Sequence, residues 1–255
     1  MPVKYRFDAN ITVIEMVGEY SLDDLRTAFL VIIVLGGLVG LLLYEFTAPV
    51  DTAQSQLPET GKLTDRQSYL IYLPETLESD KRYPLVFALS PGADAASMIS
   101  VWKTAATKHI WIIIASKEFH NGVAFDASLR QLEAELNDVE SKYPIDTTRV
   151  IFTGFSGGGM GSHAFAKFYP SRVQAVVINT GMMEQTFMTD DYPEWKTAVF
   201  LASPTDFRYN EMKRDRSFLE RHHWKTNWIE FDGGHSLAPA SVYEQAADWL
   251  DENQW

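Results

Sequence analysis

From about Gln67 onward the chain alternates short apolar runs with longer amphipathic stretches. The runs 69–73, 85–89, 110–115, 150–153, 175–179, 199–202 and 228–231 have the length and the branched or aromatic content of strands. Between them, 95–108, 127–142, 158–168, 209–224 and 240–250 carry the helical period. Strand and helix in alternation predict an α/β domain with a mostly parallel sheet and helices on both faces. In such a sheet, reactive groups belong in the loops at the carboxyl ends of the strands.

The N-terminal part follows a different pattern. Residues 27–44 form an uncharged run of 18 residues between Arg26 and Glu45. As a helix the run would be about 27 Å long, close to the hydrocarbon thickness of a bilayer, and a single membrane span over 27–46 is expected. A buried core helix is the alternative. A cleavable leader is disfavoured, since the preceding stretch is long and the residues around Phe46-Thr47-Ala48 lack the small pair a signal peptidase reads. Lys4, Arg6 and Arg26 precede the run and the next basic residue is Lys62, which places the N-terminus in the cytoplasm and the large C-terminal part outside it. Residues 1–26 read either as a small hairpin leading into a helix capped at Ser21 or as a disordered tail. Gly36 and Gly40 form a G-x-x-x-G pair through which two copies can approach as a homodimer. Residues 47–62 read as a linker, which leaves 63–255 as the α/β domain.

Composition narrows the chemistry. With 46% hydrophobic and 22% charged residues, the chain is that of a folded protein. It has no Cys, which excludes disulfides, thiolate metal sites and a cysteine nucleophile. A net charge of -12 argues against a nucleic-acid partner, since it would repel phosphate.

Gly154-Phe155-Ser156-Gly157-Gly158 matches G-x-S-x-G, with a predicted strand before it and a predicted helix after it. That context projects a serine hydroxyl above the sheet and requires glycines where a Cβ would strike strand or helix. Ser156 is therefore the candidate nucleophile, and it needs a base and an orienting acid. Of the six histidines, His235 follows the last predicted strand on the sheet edge that carries Ser156, whereas His109, His120, His163, His222 and His223 are assigned to packing or surface roles. Asp206 follows the penultimate strand and is the candidate acid. Asp190, Asp191 and Asp232 compete for that role; Asp232, three residues before His235 and followed by two glycines, reads better as a turn residue.

The segments IDTTRVIFTGFSGGG, YPSRVQAVVINTG, SPTDFRY and GGHS together resemble α/β-hydrolases of the esterase type. The similarity is greatest to the polyhydroxybutyrate depolymerase and feruloyl or acetylxylan esterase group, over about 69–250. The resemblance implies Ser156 as nucleophile, His235 as base and Asp206 as orienting acid. It also exposes a departure. Such proteins usually carry His-Gly after the third strand, where a backbone N–H helps to hold the oxyanion, but here the sequence is Leu89-Ser90-Pro91-Gly92-Ala93. Pro91 has no N–H, so Gly92 or Ala93 would supply that donor and Gly157 the other.

The expected chemistry is acyl transfer on a carboxylic ester through a covalent intermediate, which requires no metal and no organic cofactor. Met182, Met183, Phe187, Phe155 and Trp102 are candidates for an acyl pocket, or equally for the core. A lipid acyl hydrolase, a serine peptidase and a catalytically inactive membrane-tethered binding protein remain as alternatives.

Overall fold

The computed structural model describes residues 59–253. The expected span at 27–46, the segment 1–26, the Gly36 and Gly40 pair and residues 47–58 of the expected linker lie outside the described residues. Among the described residues, no helix is long and apolar enough to cross a membrane.

Eight strands form one sheet: β1 (Leu63–Asp65), β2 (Tyr69–Tyr72), β3 (Tyr83–Leu89), β4 (Ile112–Ser116), β5 (Ile145–Phe155), β6 (Ala175–Asn179), β7 (Thr197–Ala202) and β8 (Lys225–Glu230). Their spatial order is β1-β2-β4-β3-β5-β6-β7-β8. β1 and β2 run antiparallel at one edge, and every pair from β4 to β8 is parallel. Among the described residues the α-helices are α1 (Ala95–His109), α2 (Phe125–Lys142), α3 (Gly157–Phe168), α4 (Tyr209–Arg221) and, after the last strand, α5 (Ala240–Glu252).

Period-two alternation divides the apolar side chains between two cores. Leu85, Phe87 and Leu89 of β3, with Phe152 of β5 and Phe200 of β7, face α2, α3 and α4, which contribute Leu132, Leu136, Phe165 and Leu219. Val86 and Ala88 of β3, with Ile113 of β4 and Leu201 of β7, face α1 and α5, which contribute Met98, Trp102, Tyr243 and Ala246. Both faces of the central strands are covered, so β3, β4, β6 and β7 are buried along their whole length.

The expected elements are present, with differences at their ends that have local causes. The strand expected from Ile110 starts at Ile112, because Ile110 caps α1 in the left-handed conformation (φ 57°) and its N–H returns to Ala106 O. The helix expected to run to Trp224 stops at Arg221: His223 takes φ 60°, and Trp224 N–H folds back to Leu219 O. β8 begins three residues before the expected Trp228 and ends one before Phe231; as an edge strand it is only partly buried, and its alternation is blurred. β1 is too short and too exposed to leave an apolar signature.

One core group runs against the apolar pattern. His163 on α3 is fully buried, and neither ring nitrogen has a hydrogen-bond partner. Burial, reinforced by the charge of Arg214, pushes its pKa down to about 3. The unfolded chain protonates this imidazole below about pH 6.5, whereas the folded chain does so only near pH 3. Between those values the unfolded state binds more protons, so stability is lost as the pH falls through that window. His163→Met, of similar volume and without unsatisfied nitrogens, should move the acid-unfolding midpoint to lower pH by circular dichroism and leave stability at mildly alkaline pH equal or higher. An unchanged midpoint would contradict this account of His163.

Candidate active site

The site is built where β5 hands over to α3. Ser156 is the single residue between them and sits at φ 52°, ψ -117°, a conformation that costs a non-glycine residue energy. The surrounding glycines make this turn sterically feasible. A Cβ on Gly154 would lie 2.1 Å from the Gly158 carbonyl carbon, and one on Gly158 would lie 2.2 Å from Leu89 O. Strand and helix backbones are thus in contact, as the motif required. Ser156 N–H donates to Asn179 O at 2.9 Å, and Gly159 N–H donates to Ser156 O at 2.9 Å, which ties the turn on both sides.

His235 and Asp206 come to this point from two further strand ends. His235 Nε2 lies 2.9 Å from Ser156 Oγ, and its Nδ1 lies 2.7 Å from Asp206 Oδ2. A carboxylate can only accept, so Nδ1–H donates to Asp206 and Nε2 is left to accept from the serine hydroxyl. The Asp206 side chain is fully withdrawn from solvent, and its second oxygen accepts the Arg208 N–H at 2.5 Å. The imidazole packs beside Phe207 and Phe155, with ring centroids 4.5 and 5.3 Å away. Asp232 is exposed, and the glycines after it shape the loop: Gly234, at φ 61°, donates its N–H to Ser203 Oγ at 2.9 Å. Asp191 is held at the surface by Lys167 and Thr189.

Residues that the sequence pattern did not single out hold this arrangement. Asn179, at the end of β6, is fully buried, and its Oδ1 accepts from Ala238 N–H at 2.8 Å and from the Tyr243 hydroxyl at 2.9 Å. Its Nδ2 reaches Ser236 O at 3.3 Å. One side chain therefore fixes the segment just after His235, while the same residue's carbonyl holds Ser156 N–H. Ser203 performs the matching task between the Asp206 and His235 loops. The only sequence signal for Asn179 is a polar residue closing an otherwise apolar strand.

A cavity of about 260 Å³ opens beside Ser156 and Gly157, lined by Phe119, Asn121, Val123, Phe125, Met160 and Met182, among others. Of the five residues expected at a pocket, Met182 lines it. Met183 does not: it is fully buried, with its N–H held by Asp215 at 2.6 Å and its carbonyl by Arg214 at 3.0 Å. Burial raises the Asp215 pKa to about 6. Trp102 is also core, on the opposite face of the sheet and edge-on to Tyr243 at 5.1 Å, because α1 packs against α5 there. Phe187 lines an adjoining apolar groove with Phe168 and Leu129, which shares Phe125 with the cavity. Phe155 flanks the imidazole instead of the cavity. In the turn after β3, Ala93 N–H donates to Ser90 O at 3.2 Å and Gly92 N–H faces Ser90 Oγ at 3.4 Å. Among the described residues, no cluster of three or more His, Asp or Glu is placed to hold a metal ion.

No family model matches the chain. It is 27% identical over 179 residues to a probable acetylxylan esterase A from Aspergillus clavatus, covering 60% of this chain and 58% of that protein. The chain thus spans less than two thirds of that relative's length. A crystal structure of a thermostable esterase superposes with a TM-score of 0.56 at 21% identity, covering 72% of this chain and 58% of the other. A carboxylesterase from Mesorhizobium loti superposes with a TM-score of 0.58 at 16% identity, covering 76% of this chain and 99% of the other. With the parallel sheet and the turn at Ser156, these likenesses establish the α/β-hydrolase fold.

The two aspartates can be separated by experiment. Asp206→Asn should preserve the far-ultraviolet circular dichroism spectrum and slow the reaction of Ser156 with a fluorophosphonate by roughly ten-thousandfold, the scale associated with a wrongly held imidazole tautomer. Asp232→Asn should cost far less. The reverse ranking would assign the acid to Asp232.

Proposed function

We propose that the protein hydrolyses carboxylic esters by acyl transfer through Ser156. The observation that carries this reading is the continuous chain from Ser156 Oγ through both nitrogens of His235 to the buried carboxylate of Asp206. Ser156 attacks the ester carbonyl while His235 Nε2 takes its proton, and Asp206 holds the imidazole and balances the charge it gains. The alcohol leaves with that proton, and water, activated by His235, then releases the acid from the acyl-enzyme. The residues assigned to these steps need no metal or organic cofactor.

The cavity bears on substrate size. About 260 Å³ with mixed lining suits a short acyl group such as acetyl better than a long lipid chain, which would need a larger apolar cleft. Similarity to a probable acetylxylan esterase points the same way.

The membrane reading rests on sequence alone. Residues 27–46 act as a single span, with Lys4, Arg6 and Arg26 keeping the N-terminus in the cytoplasm and the hydrolase domain outside it. Gly36 and Gly40 offer a contact between two such spans.

Ser156→Ala should abolish covalent labelling by a fluorophosphonate and lower turnover of p-nitrophenyl acetate by several powers of ten. Labelling that persists in the mutant would place the nucleophile elsewhere. Turnover should fall steeply as the acyl chain lengthens, and a preference for long chains would favour the lipid-hydrolase reading instead. For topology, protease added to intact cells or spheroplasts should reach the domain after Thr47. Cleavage seen only after lysis would reverse the orientation.

A further inference from the structure

The acyl-transfer reading requires two hydrogen-bond donors at the point where the ester oxygen becomes an oxyanion. Gly157, the first residue of α3, supplies one N–H by its position after the nucleophile. The turn after β3 is poorly disposed to supply the other. Pro91 has no N–H, Ala93 N–H is bonded to Ser90 O, and Gly92 N–H is turned toward Ser90 Oγ. Neither Gly92 nor Ala93 lines the cavity beside Ser156.

A different side chain lies beside Gly157. A Cβ on Gly157 would lie 2.0 Å from Asn121 Oδ1, 2.9 Å from its Cγ and 3.1 Å from its Nδ2. The Asn121 amide therefore lies directly against the Gly157 backbone, where a Cβ would displace it. Asn121 also lines the cavity with Ser156 and Gly157. Its backbone is anchored at this spot: its N–H donates to Pro91 O at 2.9 Å, its carbonyl accepts from His120 Nδ1 at 2.9 Å, and His120 bridges to Gly92. No hydrogen bond engages its side-chain amide among the described residues. A half-turn about χ2 exchanges the two ends of an amide, so Nδ2–H can take the place of Oδ1 beside Gly157.

We propose that the Asn121 side-chain amide is the second oxyanion donor, acting beside Gly157 N–H in place of a backbone amide from the loop after β3. The inference rests on the acyl-transfer reading. As the Ser156 Oγ–C bond forms, the carbonyl π pair moves to oxygen and the hydroxyl proton moves to His235 Nε2. Gly157 N–H and Asn121 Nδ2–H both donate to the resulting oxyanion. On collapse the pair returns, the bond to the alcohol oxygen breaks, and His235 gives its proton to the departing alcohol. Pro91 serves this arrangement through its carbonyl, which pins Asn121, and the lost N–H costs nothing.

The test uses the full chain with p-nitrophenyl acetate as substrate and a trifluoromethyl ketone as inhibitor, whose serine adduct carries the same negative oxygen. Asn121→Ala should lower kcat on the order of a hundredfold to a thousandfold with little change in KM. Its affinity for the ketone should fall by the same factor as kcat/KM. Asn121→Asp, isosteric but anionic, should be worse than alanine in both measurements. An alanine variant within a few-fold of the parent, a loss confined to KM, unchanged ketone affinity, or an aspartate variant better than alanine would each overturn the proposal. A parent protein that neither turns over the ester nor labels with a fluorophosphonate would instead overturn the acyl-transfer reading, which keeps the two failures distinct.

Discussion

The rest of the site depends on how closely two backbones approach where β5 becomes α3. A chain that leaves a central strand and starts a helix after a single residue must press the first helical turn against both its own strand and the neighbouring one. The contacts at Gly154 and Gly158 show the result, with no space for a methyl group on either side. Ser156 absorbs the change of direction at φ 52°. Two backbone bonds and the packing of α3 on β3, β5 and β6 hold that strained residue, so the fold supplies the energy that keeps the hydroxyl raised.

The parallel sheet brings further polar groups to that raised hydroxyl. β5, β6, β7 and β8 all end on one edge, so Ser156, Asn179, Asp206 and His235 converge although they span nearly eighty residues of chain. The loops are joined to one another as well as to the strands. Asn179 holds the segment after His235 and the turn at Ser156, while Ser203 holds the glycine before His235 from within the Asp206 loop. Each loop is thus tied to its neighbour around the 2.9 and 2.7 Å distances at His235.

What was legible in the sequence follows from how local the determining physics is. The strand and helix alternation, the turn at Ser156 and the strand ends that carry Asp206 and His235 could be read because each depends on a few consecutive residues and on which strand end they follow. Strand ends were misread where a residue had two uses: Ile110 has the side chain of a strand residue but serves as a left-handed helix cap. The pocket was the least legible part. Met182 and Met183 are adjacent and chemically alike, yet one lines the cavity and the other is locked into the core by Asp215 and Arg214, a distinction set by a helix some thirty residues away. Trp102 follows the same rule: its placement on the far face depends on α1 packing against α5.

On the proposed reading, the loop after β3 loses a donor that another part of the fold replaces. Pro91 has no N–H to offer at this strand end. In three dimensions the same residue's carbonyl accepts the Asn121 N–H, and the segment after β4 is drawn across the mouth of β3 until its amide rests on Gly157. β3 and β4 are adjacent and parallel, so their following loops leave the sheet side by side. On the proposed reading, a side chain from the second loop takes the place of a backbone group from the first. The requirement at this position is for a donor aimed at one point in space, and the sheet order determines which parts of the chain can meet it.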